Sequence, residues 1–475
     1  MSPEKTLPVT AGWHLRLREQ RTILLLGDLL FAGLALLGGL YFWAQQDAWL
    51  HFSLEFIQRR VPVWFYLLPL AWLILLAELY ELHRAANLRK TIVGIAVAAL
   101  TGLLFYALIY LISPKGSLNR WGIGFFLLFA SGLTLLWRLI YIRIFTAPTF
   151  KRRVLVVGAG KAGSTLAQAY KNLSPPPFYF VGFMDDDPKK IGKKKEGFPI
   201  LAGSDCLLEI AEQEQVSDLV IAITGEMQGS TFQTILDAQE RGIEITPMPT
   251  VYEELLGRVP VHHLESDWLI RSFVDEARVS GFYEMGKRLL DVLGALVGLA
   301  IFAAIIPFAA LATIVDSGFP VFYAQTRSGK GGKEYLIYKI RTMCQDAESD
   351  GKARLAQEKD ERITRVGNFL RRTHVDELPQ FLNVLRGEMS LVGPRSERPE
   401  WVAHFEKQIP FYRARLLVKP GITGWAQVNY GYVATVAETA VKLEYDLYYI
   451  KHRNLLMDMV ILLRTVGQVI GLRGR

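Results

Sequence analysis

Four apolar runs follow one another in the first third of the chain, at Ile23–Trp43, Pro62–Tyr80, Ile92–Ile112 and Trp121–Ile142. Each approaches the ~20 residues with which a helix crosses a bilayer. A backbone in lipid must satisfy its own hydrogen bonds, so residues 1–150 are constrained to a four-helix transmembrane domain. Composition agrees: 51% of the 475 residues are hydrophobic and the mean hydropathy is +0.21. Arg16, Arg18 and Arg21 precede the first run, Arg84, Arg89 and Lys90 separate the second from the third, and Arg143, Lys151, Arg152 and Arg153 follow the fourth. The alternate loops carry chiefly Arg59, Arg60, Lys115 and Arg120, so the positive-inside bias puts both ends of the unit in the cytoplasm. Tyr41, Trp43, Trp121 and Tyr141 stand at run ends, where interfacial belts form. The runs hold few charges, which reads as an anchor and not as an ion path. Met1–Gln20 is polar without a cleavage site, so the first run is expected to be retained.

The net charge of +8 fits an anionic membrane surface; with this apolar content it does not ask for nucleic acid. Cys206 and Cys344 are the only cysteines and lack a metal-ligand spacing, so neither a disulfide framework nor a zinc site is indicated.

From Val154 the pattern changes to a short apolar strand, a Gly158-x-Gly160-x-x-Gly163 turn and a helix start. Strand-like runs follow at Phe180–Met184, Leu219–Ile223 and Ile243–Pro247, so a Rossmann-like parallel α/β domain is expected over about Lys151–Val259, with a linker to residue 280. Asp185 ends the second strand where a ribose-binding carboxylate would stand, which makes Gly158, Gly160, Gly163 and Asp185 a candidate nucleotide site. The equal alternative is a retained fold serving as a spacer or dimer surface.

The fifth apolar run, Leu289–Val315, is flanked by Lys287 and Arg288 before it and by Arg327, Lys330 and Lys333 after it. Basic residues on both sides fit a segment that enters and returns to one face, with Pro307 kinking it. Tyr283 and Lys287 have the Tyr-x-x-x-Lys spacing of short-chain dehydrogenases and sugar epimerases, but basic residues before an apolar run fit a membrane entrance better.

Arg371 to Phe381 carries the adjacent carboxylates Asp376 and Glu377. Leu378, Phe381, Leu382 and Leu385 recur at helical spacing, so an apolar-faced α-helix is expected to begin at this pair, with Pro379 in its first turn. Carboxylates beside Arg371 and Arg372 at a positive helix end have the chemistry of phosphoryl transfer; the plain alternative is a helix cap. Asp346–Asp360 reads as a solvated, mobile stretch, and Leu443–Leu472 as a helical segment along the membrane interface. Arg395 and Gln427 are candidates for a diphosphate and for a base or sugar.

From Tyr283 onward the chain resembles the bacterial sugar transferases, the monotopic phosphoglycosyl transferases. The resemblance rests on Lys287-Arg288-x-x-Asp291, Pro307, Tyr338-Lys-Ile-Arg-Thr-Met343, Asp376-Glu-Leu-Pro-Gln380, Asn383-Val-Leu-Arg-Gly-Glu-Met-Ser-Leu-Val-Gly-Pro-Arg395 and Lys419-Pro-Gly-Ile-Thr-Gly-Trp-Ala-Gln-Val-Asn429. With the preceding segments it is similar to the large form of that family, which implies a catalytic domain over residues 281–475 with a re-entrant membrane helix near 287–315. Such enzymes move a sugar 1-phosphate from a UDP-sugar, here UDP-galactose or UDP-glucose, to undecaprenyl phosphate at the cytoplasmic face of the bacterial inner membrane, starting a surface polysaccharide. The resemblance implies Asp376 as nucleophile, Glu377 as its aid, and Mg²⁺ held by Asp376 and Glu377. It implies Arg371, Arg395, Lys339 and Arg341 on phosphate and Glu397, Gln427 and Asn429 toward nucleotide or sugar. Membrane lipids and a second copy in a homodimer complete the expected partners, without nucleic acid. The chain departs from the family pattern at His374-Val375, Ile306 and Ser396. Two other readings stay open: a nicotinamide-dependent sugar-nucleotide enzyme using Tyr283 and Lys287, and a nucleotide-sensing scaffold.

Overall fold

The computed structural model describes residues 17–46, 49–80, 85–112, 120–145, 151–174, 176–264, 280–344, 362–431 and 435–470. They fall into two compact units, Met1–Leu255 and Leu256–Arg475. The charged stretch Asp346–Asp360 lies outside the described residues.

The first unit begins with helices α1 (Leu17–Ala44), α2 (Leu54–Arg60), α3 (Leu68–Leu75), α4 (Leu88–Ile112) and α5 (Arg120–Phe145). Of these, α1, α4 and α5 are long and apolar enough to cross a membrane. The second apolar run does not form the single helix its length suggests. It is divided into a 3-10 turn at Val63–Leu67, α3, and a second 3-10 turn at Ala77–Tyr80. Two features account for this. Pro69 lacks an amide hydrogen in the first turn of α3, and the Leu79 carbonyl in the second 3-10 turn accepts from Arg138 of α5 at 2.9 Å. Arg138 also pairs with Asp28 of α1 at 2.6 Å, both fully buried. A charge pair inside apolar helices is costly to separate, so it fixes how α1, α5 and this turn pack. Close approach of α1 and α5 needs Gly39, whose added Cβ would lie 3.1 Å from the Phe126 backbone nitrogen.

Beyond α5 come β1 (Arg153–Val157), α6 (Lys161–Lys171), β2 (Tyr179–Met184), β3 (Lys194–Lys195), β4 (Phe198–Ala202), α7 (Leu207–Gln213), β5 (Asp218–Ile221), α8 (Gly229–Glu240), β6 (Glu244–Pro247) and α9 (Met248–Leu256). The sheet order is β3-β4-β2-β1-β5-β6, parallel except for β3. Leu155, Val157, Val181, Met184 and Leu219 bury one face of it beneath α7 and α8. The expected strands are β1, β2, β5 and β6. The β3–β4 hairpin was not legible, because Lys194-Lys195 and Phe198-Pro199 carry no continuous apolar signal.

The second unit opens with Val259 and Val261, which lie in its core; Val259 donates its N–H to the Glu444 carbonyl at 3.1 Å. Val259, which the sequence suggested as the end of the α/β domain, thus belongs to this unit's core. Next is α10 (Gly281–Ser317), capped by Ser280 and continuous through Pro307. The fifth apolar run is therefore one helix of 37 residues with Pro307 inside it. One face lies on the unit near both ends: Ala295 belongs to the main core, and Ala309 packs with Val321, Ile340 and Leu370. The opposite face exposes Phe282, Leu289, Leu293, Val297, Ile301, Phe308, Leu311 and Val315. Gly294 and Gly298 let α10 approach closely, since added Cβ atoms would lie 2.4 Å from Leu391 and 2.5 Å from the Phe381 ring.

Strands β7 (Phe322–Ser328) and β8 (Glu334–Ile340) form an antiparallel hairpin, followed by α11 (Arg365–Arg372), α12 (Phe381–Arg386), β9 (Ser390–Val392), α13 (Pro399–Phe405), β10 (Gly421–Thr423), α14 (Trp425–Asn429), α15 (Val436–His452) and α16 (Leu455–Ile470). β9 and β10 pair in parallel. The segment read as lying along the membrane is two helices, of which α15 is a core element. Leu443, Leu447 and Ile450 are buried, and Thr435 with Glu438 closes a capping box at its start.

Candidate active site

The dyad does not open an α-helix. Asp376 and Glu377 lie in a 3-10 helix, Val375–Gln380, that runs into α12. Pro379 cannot donate the first i→i−4 bond of an α-helix starting at Val375, and His374, at φ 57°, turns the chain out of α11 through a left-handed residue. The carboxylates are consequently buried, at 7% and 9% exposure, and are not displayed at an open helix end.

Glu377 Oε1 accepts from Lys339 Nζ of β8 at 2.6 Å and from Arg395 Nη2 beyond β9 at 2.6 Å. Burial alone would push its carboxyl up, but Arg395 and Lys339 overrule it and hold Glu377 well below the usual range. Asp376 is its counterpart. Burial and the adjacent Glu377 charge raise its carboxyl, against the pull of Lys339, Arg371 and Arg395. Glu377 is thus a fixed anion clamped by two cations, while Asp376 retains a carboxylate close to proton exchange at physiological pH. Arg395 is held protonated by Glu377, and burial lowers Lys339. Burial lowers His374 too, and its Nδ1 has no partner, which fits a turn residue better than a proton acceptor for the dyad.

Of the other expected phosphate ligands, Arg371 donates from Nε to Thr342 Oγ1 at 2.9 Å and lies close enough to Asp376 to pull on its charge. Arg341 is turned elsewhere: Nη2 donates to the Ser317 carbonyl at 2.7 Å and to the Gly318 carbonyl, capping the C-terminal end of α10. Glu397 is enclosed in an ion cluster, with Lys442 at 2.7 Å and Arg415 at 3.6 Å. Burial raises its carboxyl, but Lys442, Arg415 and Arg327 hold it at about 2. Gln427 donates to the Ile422 carbonyl and Asn429 to the Trp425 carbonyl, both at 2.9 Å, while Asn429 Oδ1 accepts from Arg464. These three bind the unit together and do not line the hollow beside Glu377. That hollow is walled by Arg327, Ile337, Lys339, Glu377, Gln380, Arg395, Ser396 and Gly421.

Tyr283 and Lys287 converge on one buried carboxylate: Tyr283 Oη and Lys287 Nζ reach Asp458 Oδ2 at 3.1 and 3.0 Å, and Tyr449 Oη reaches Asp458 Oδ1 at 2.8 Å. They form a buried anchor and not an open acid–base pair. The neighbouring residues of the same motif grip the backbone that follows the dyad. Arg288 donates to the Val384 and Leu385 carbonyls at 2.8 Å, Asp291 Oδ1 accepts from Leu391 N–H at 2.8 Å and Ser390 Oγ at 2.9 Å, and Lys287 donates to the Val392 carbonyl at 3.1 Å. Sequence reading passed over this role, although Lys-Arg-x-x-Asp places all three on one helical face.

In the first unit, Gly158 (φ 108°) and Gly163 are required by packing: a Cβ on Gly163 would lie 2.2 Å from the Gly158 carbonyl oxygen. Gly160 faces open space as the cap of α6. The Asp185 carboxylate accepts from Ala159 N–H at 2.9 Å, Asp187 N–H at 3.0 Å and Lys190 Nζ at 3.0 Å. It thereby closes the glycine turn on itself instead of standing open to a ribose.

Among the described residues no three His, Cys, Asp or Glu side chains gather as a metal cage. Mg²⁺ ordinarily takes one or two carboxylates together with substrate phosphates, and the donors here fit that mode: Glu377 Oε2 meets Arg395 only at 3.4 Å, and Asp376 lies beside it.

A family model described as bacterial sugar transferase matches residues 282–471. A UDP-glucose:undecaprenyl-phosphate glucose-1-phosphate transferase of Escherichia coli (strain K12) is 34% identical over 330 residues, covering 66% of this chain and 67% of that protein. One of Klebsiella pneumoniae is 40% identical over 323 residues with the same coverage of each chain. The chain belongs to the bacterial sugar transferase family. The dyad, Lys339, Arg395 and the α10 grip all fall inside the matched region of this sugar transferase. A UDP-N-acetylgalactosamine-undecaprenyl-phosphate N-acetylgalactosaminephosphotransferase of Aeromonas hydrophila is 41% identical over 228 residues, 48% of this chain and 52% of that protein. The matches thus span between about half and two-thirds of the length of these relatives. A second model, described as CoA-binding domain, matches residues 76–244 of the sugar transferase, which take in α4, α5 and the sheet up to the start of β6.

Proposed function

We propose that this protein transfers a sugar 1-phosphate from a UDP-sugar, UDP-glucose or UDP-galactose, to undecaprenyl phosphate, releasing UMP, by double displacement on Asp376. The observation that carries the reading is the division of labour in the dyad: Glu377 is pinned by Lys339 and Arg395, while among the described residues none donates a hydrogen bond to the Asp376 carboxylate. An Asp376 oxygen attacks the sugar-bearing phosphorus; the bond from that phosphorus to the bridging oxygen breaks and UMP leaves with the electron pair. An oxygen of the lipid phosphate then attacks the same phosphorus, and the aspartyl–phosphorus bond breaks to return the carboxylate. Arg395, Arg371 and Lys339 offset the phosphate charge beside a buried dyad. Mg²⁺, held by the diphosphate with Glu377 and Asp376, would supply further charge neutralisation.

The same reading places the protein in the bacterial inner membrane with the dyad at the cytoplasmic face, as the first membrane step of exopolysaccharide, capsule or O-antigen synthesis, in a homodimer. It makes α10 a re-entrant helix bent about Pro307. Support for this comes from its contacts. At roughly 55 Å, α10 exceeds the ~30 Å hydrocarbon core, yet both ends rest on the same unit while one apolar face stays uncovered.

The test is UMP release by detergent-solubilised protein given Mg²⁺, undecaprenyl phosphate and each of UDP-glucose, UDP-galactose and UDP-N-acetylgalactosamine. Wild type should turn over with one donor and Asp376→Asn should lose at least a thousandfold; near-normal turnover by that variant removes the proposal.

A further inference from the structure

Gln380, four residues after Asp376, is 3% exposed, and its Nε2 is fully buried without a hydrogen-bond partner. A buried, unpaired amide is costly, and native proteins rarely keep one without a use for it. Gln380 forms part of the wall of the hollow that also holds Lys339, Glu377 and Arg395. Arg327, on the same wall, donates from Nη1 to the Ser396 carbonyl at 3.2 Å and from Nη2 to Gln325 at 2.6 Å, yet its Nε is buried and unpaired as well. Two idle donors therefore share one hollow. Its charged groups are Arg327, Lys339 and Arg395 against the single carboxylate Glu377, a balance that selects an anion.

We propose that Gln380 Nε2, together with Arg327 Nε, is a substrate-binding pair that donates to a phosphate oxygen beside the dyad. The proposal rests on the transferase reading and extends it by assigning a second set of donors, apart from the cations that clamp Glu377. The oxygen can belong to the nucleotide that leaves or to the lipid phosphate that arrives, since the two present the same chemistry in turn. Before substrate binds, the donors stay unpaired at a cost in stability, and substrate relieves that cost.

This gives a signature that a packing residue does not have. Gln380→Leu removes an unsatisfied amide at similar volume, so the full-length protein in detergent should melt at the same temperature or a few degrees higher. Its kcat/KM should nevertheless fall about tenfold or more. Gln380→Glu should lose more than Gln380→Leu, because a carboxylate would face the phosphate. If the oxygen belongs to the nucleotide, UMP binding by calorimetry weakens about tenfold in Gln380→Leu while the KM for undecaprenyl phosphate holds; if it belongs to the lipid, the pattern reverses. Either pattern supports the proposal and names the source. It is overturned if Gln380→Leu keeps every constant within twofold, if its melting temperature and activity fall together, or if Gln380→Glu works as well as wild type. Those outcomes leave wild-type turnover intact, whereas wild type failing to release UMP from any donor counts against the transferase reading itself.

Discussion

Replacing Asp291 tests whether the start of α10 sets the position of the strand that leads to Arg395. Asp291 is 3% exposed, and its Oδ1 accepts both Leu391 N–H and Ser390 Oγ. In Asp291→Ala the Ser390 hydroxyl can rotate to another acceptor, but the Leu391 N–H is left buried and unpaired. That costs about 1–3 kcal/mol, and loss of the charge-assisted bonds brings the total to about 2–4 kcal/mol. Asp291→Asn keeps the acceptor oxygen and should cost about 1 kcal/mol. At roughly 2–4 °C per kcal/mol for a unit of this size, the alanine variant should melt about 5–15 °C lower and the asparagine variant no more than about 4 °C lower. Thermal unfolding in one detergent at one scan rate reads this directly. Because β9 runs into Arg395, the alanine variant should also lose activity per folded molecule. The reasoning is refuted if asparagine is as damaging as alanine, which would make the negative charge and not the accepting oxygen decisive, or if alanine melts within about 1 °C of wild type.

Three further outcomes follow from the geometry. With Asp376 raised to about 6, kcat/KM should fall about tenfold per pH unit below pH 6 and level off above it; a pH–rate profile whose acid limb lies near 4 contradicts the assignment. Gly298→Leu forces side-chain atoms into the Phe381 ring, so it should cost about 1–3 kcal/mol or more in thermal unfolding, whereas Gly124→Ala, with nothing within 4 Å, should be neutral. Glu397, held at about 2, contributes stability that is fully present above its unfolded value and is lost as pH falls through 2. Lys442→Met should therefore move acid unfolding to higher pH and remove up to about 3 kcal/mol at pH 7.

Local patterns carried much of the architecture. Apolar length marked α1, α4, α5 and α10, and alternation of strand and helix signals marked four of the six strands of the sheet. The division of the second apolar run was not legible: it ends in a 3-10 turn whose Leu79 carbonyl meets Arg138, some sixty residues later, and nothing near Leu79 announces that. The residue types around Asp376 and Glu377 pointed to the site, and the structure brings Lys339, Arg371 and Arg395 to it. The strand-end position of Arg341 looks the same whether the guanidinium turns to phosphate or to the end of α10, and in the structure its Nη2 turns to the end of α10. Glu397, Gln427 and Asn429 have turn-rich surroundings, and only the folded chain shows their partners, Lys442, Ile422 and Arg464. The grip of Lys287, Arg288 and Asp291 joins residues about a hundred positions apart, so only the folded chain reveals it.

The most direct test of the central claim is the intact mass of solubilised wild-type protein after incubation with Mg²⁺ and a panel of UDP-sugars, without lipid acceptor. The account predicts a gain equal to one sugar phosphate with a single donor, absent in Asp376→Asn and discharged when undecaprenyl phosphate is added. UMP release driven by the lipid with no mass gain from any donor would contradict the aspartyl intermediate and point to direct displacement.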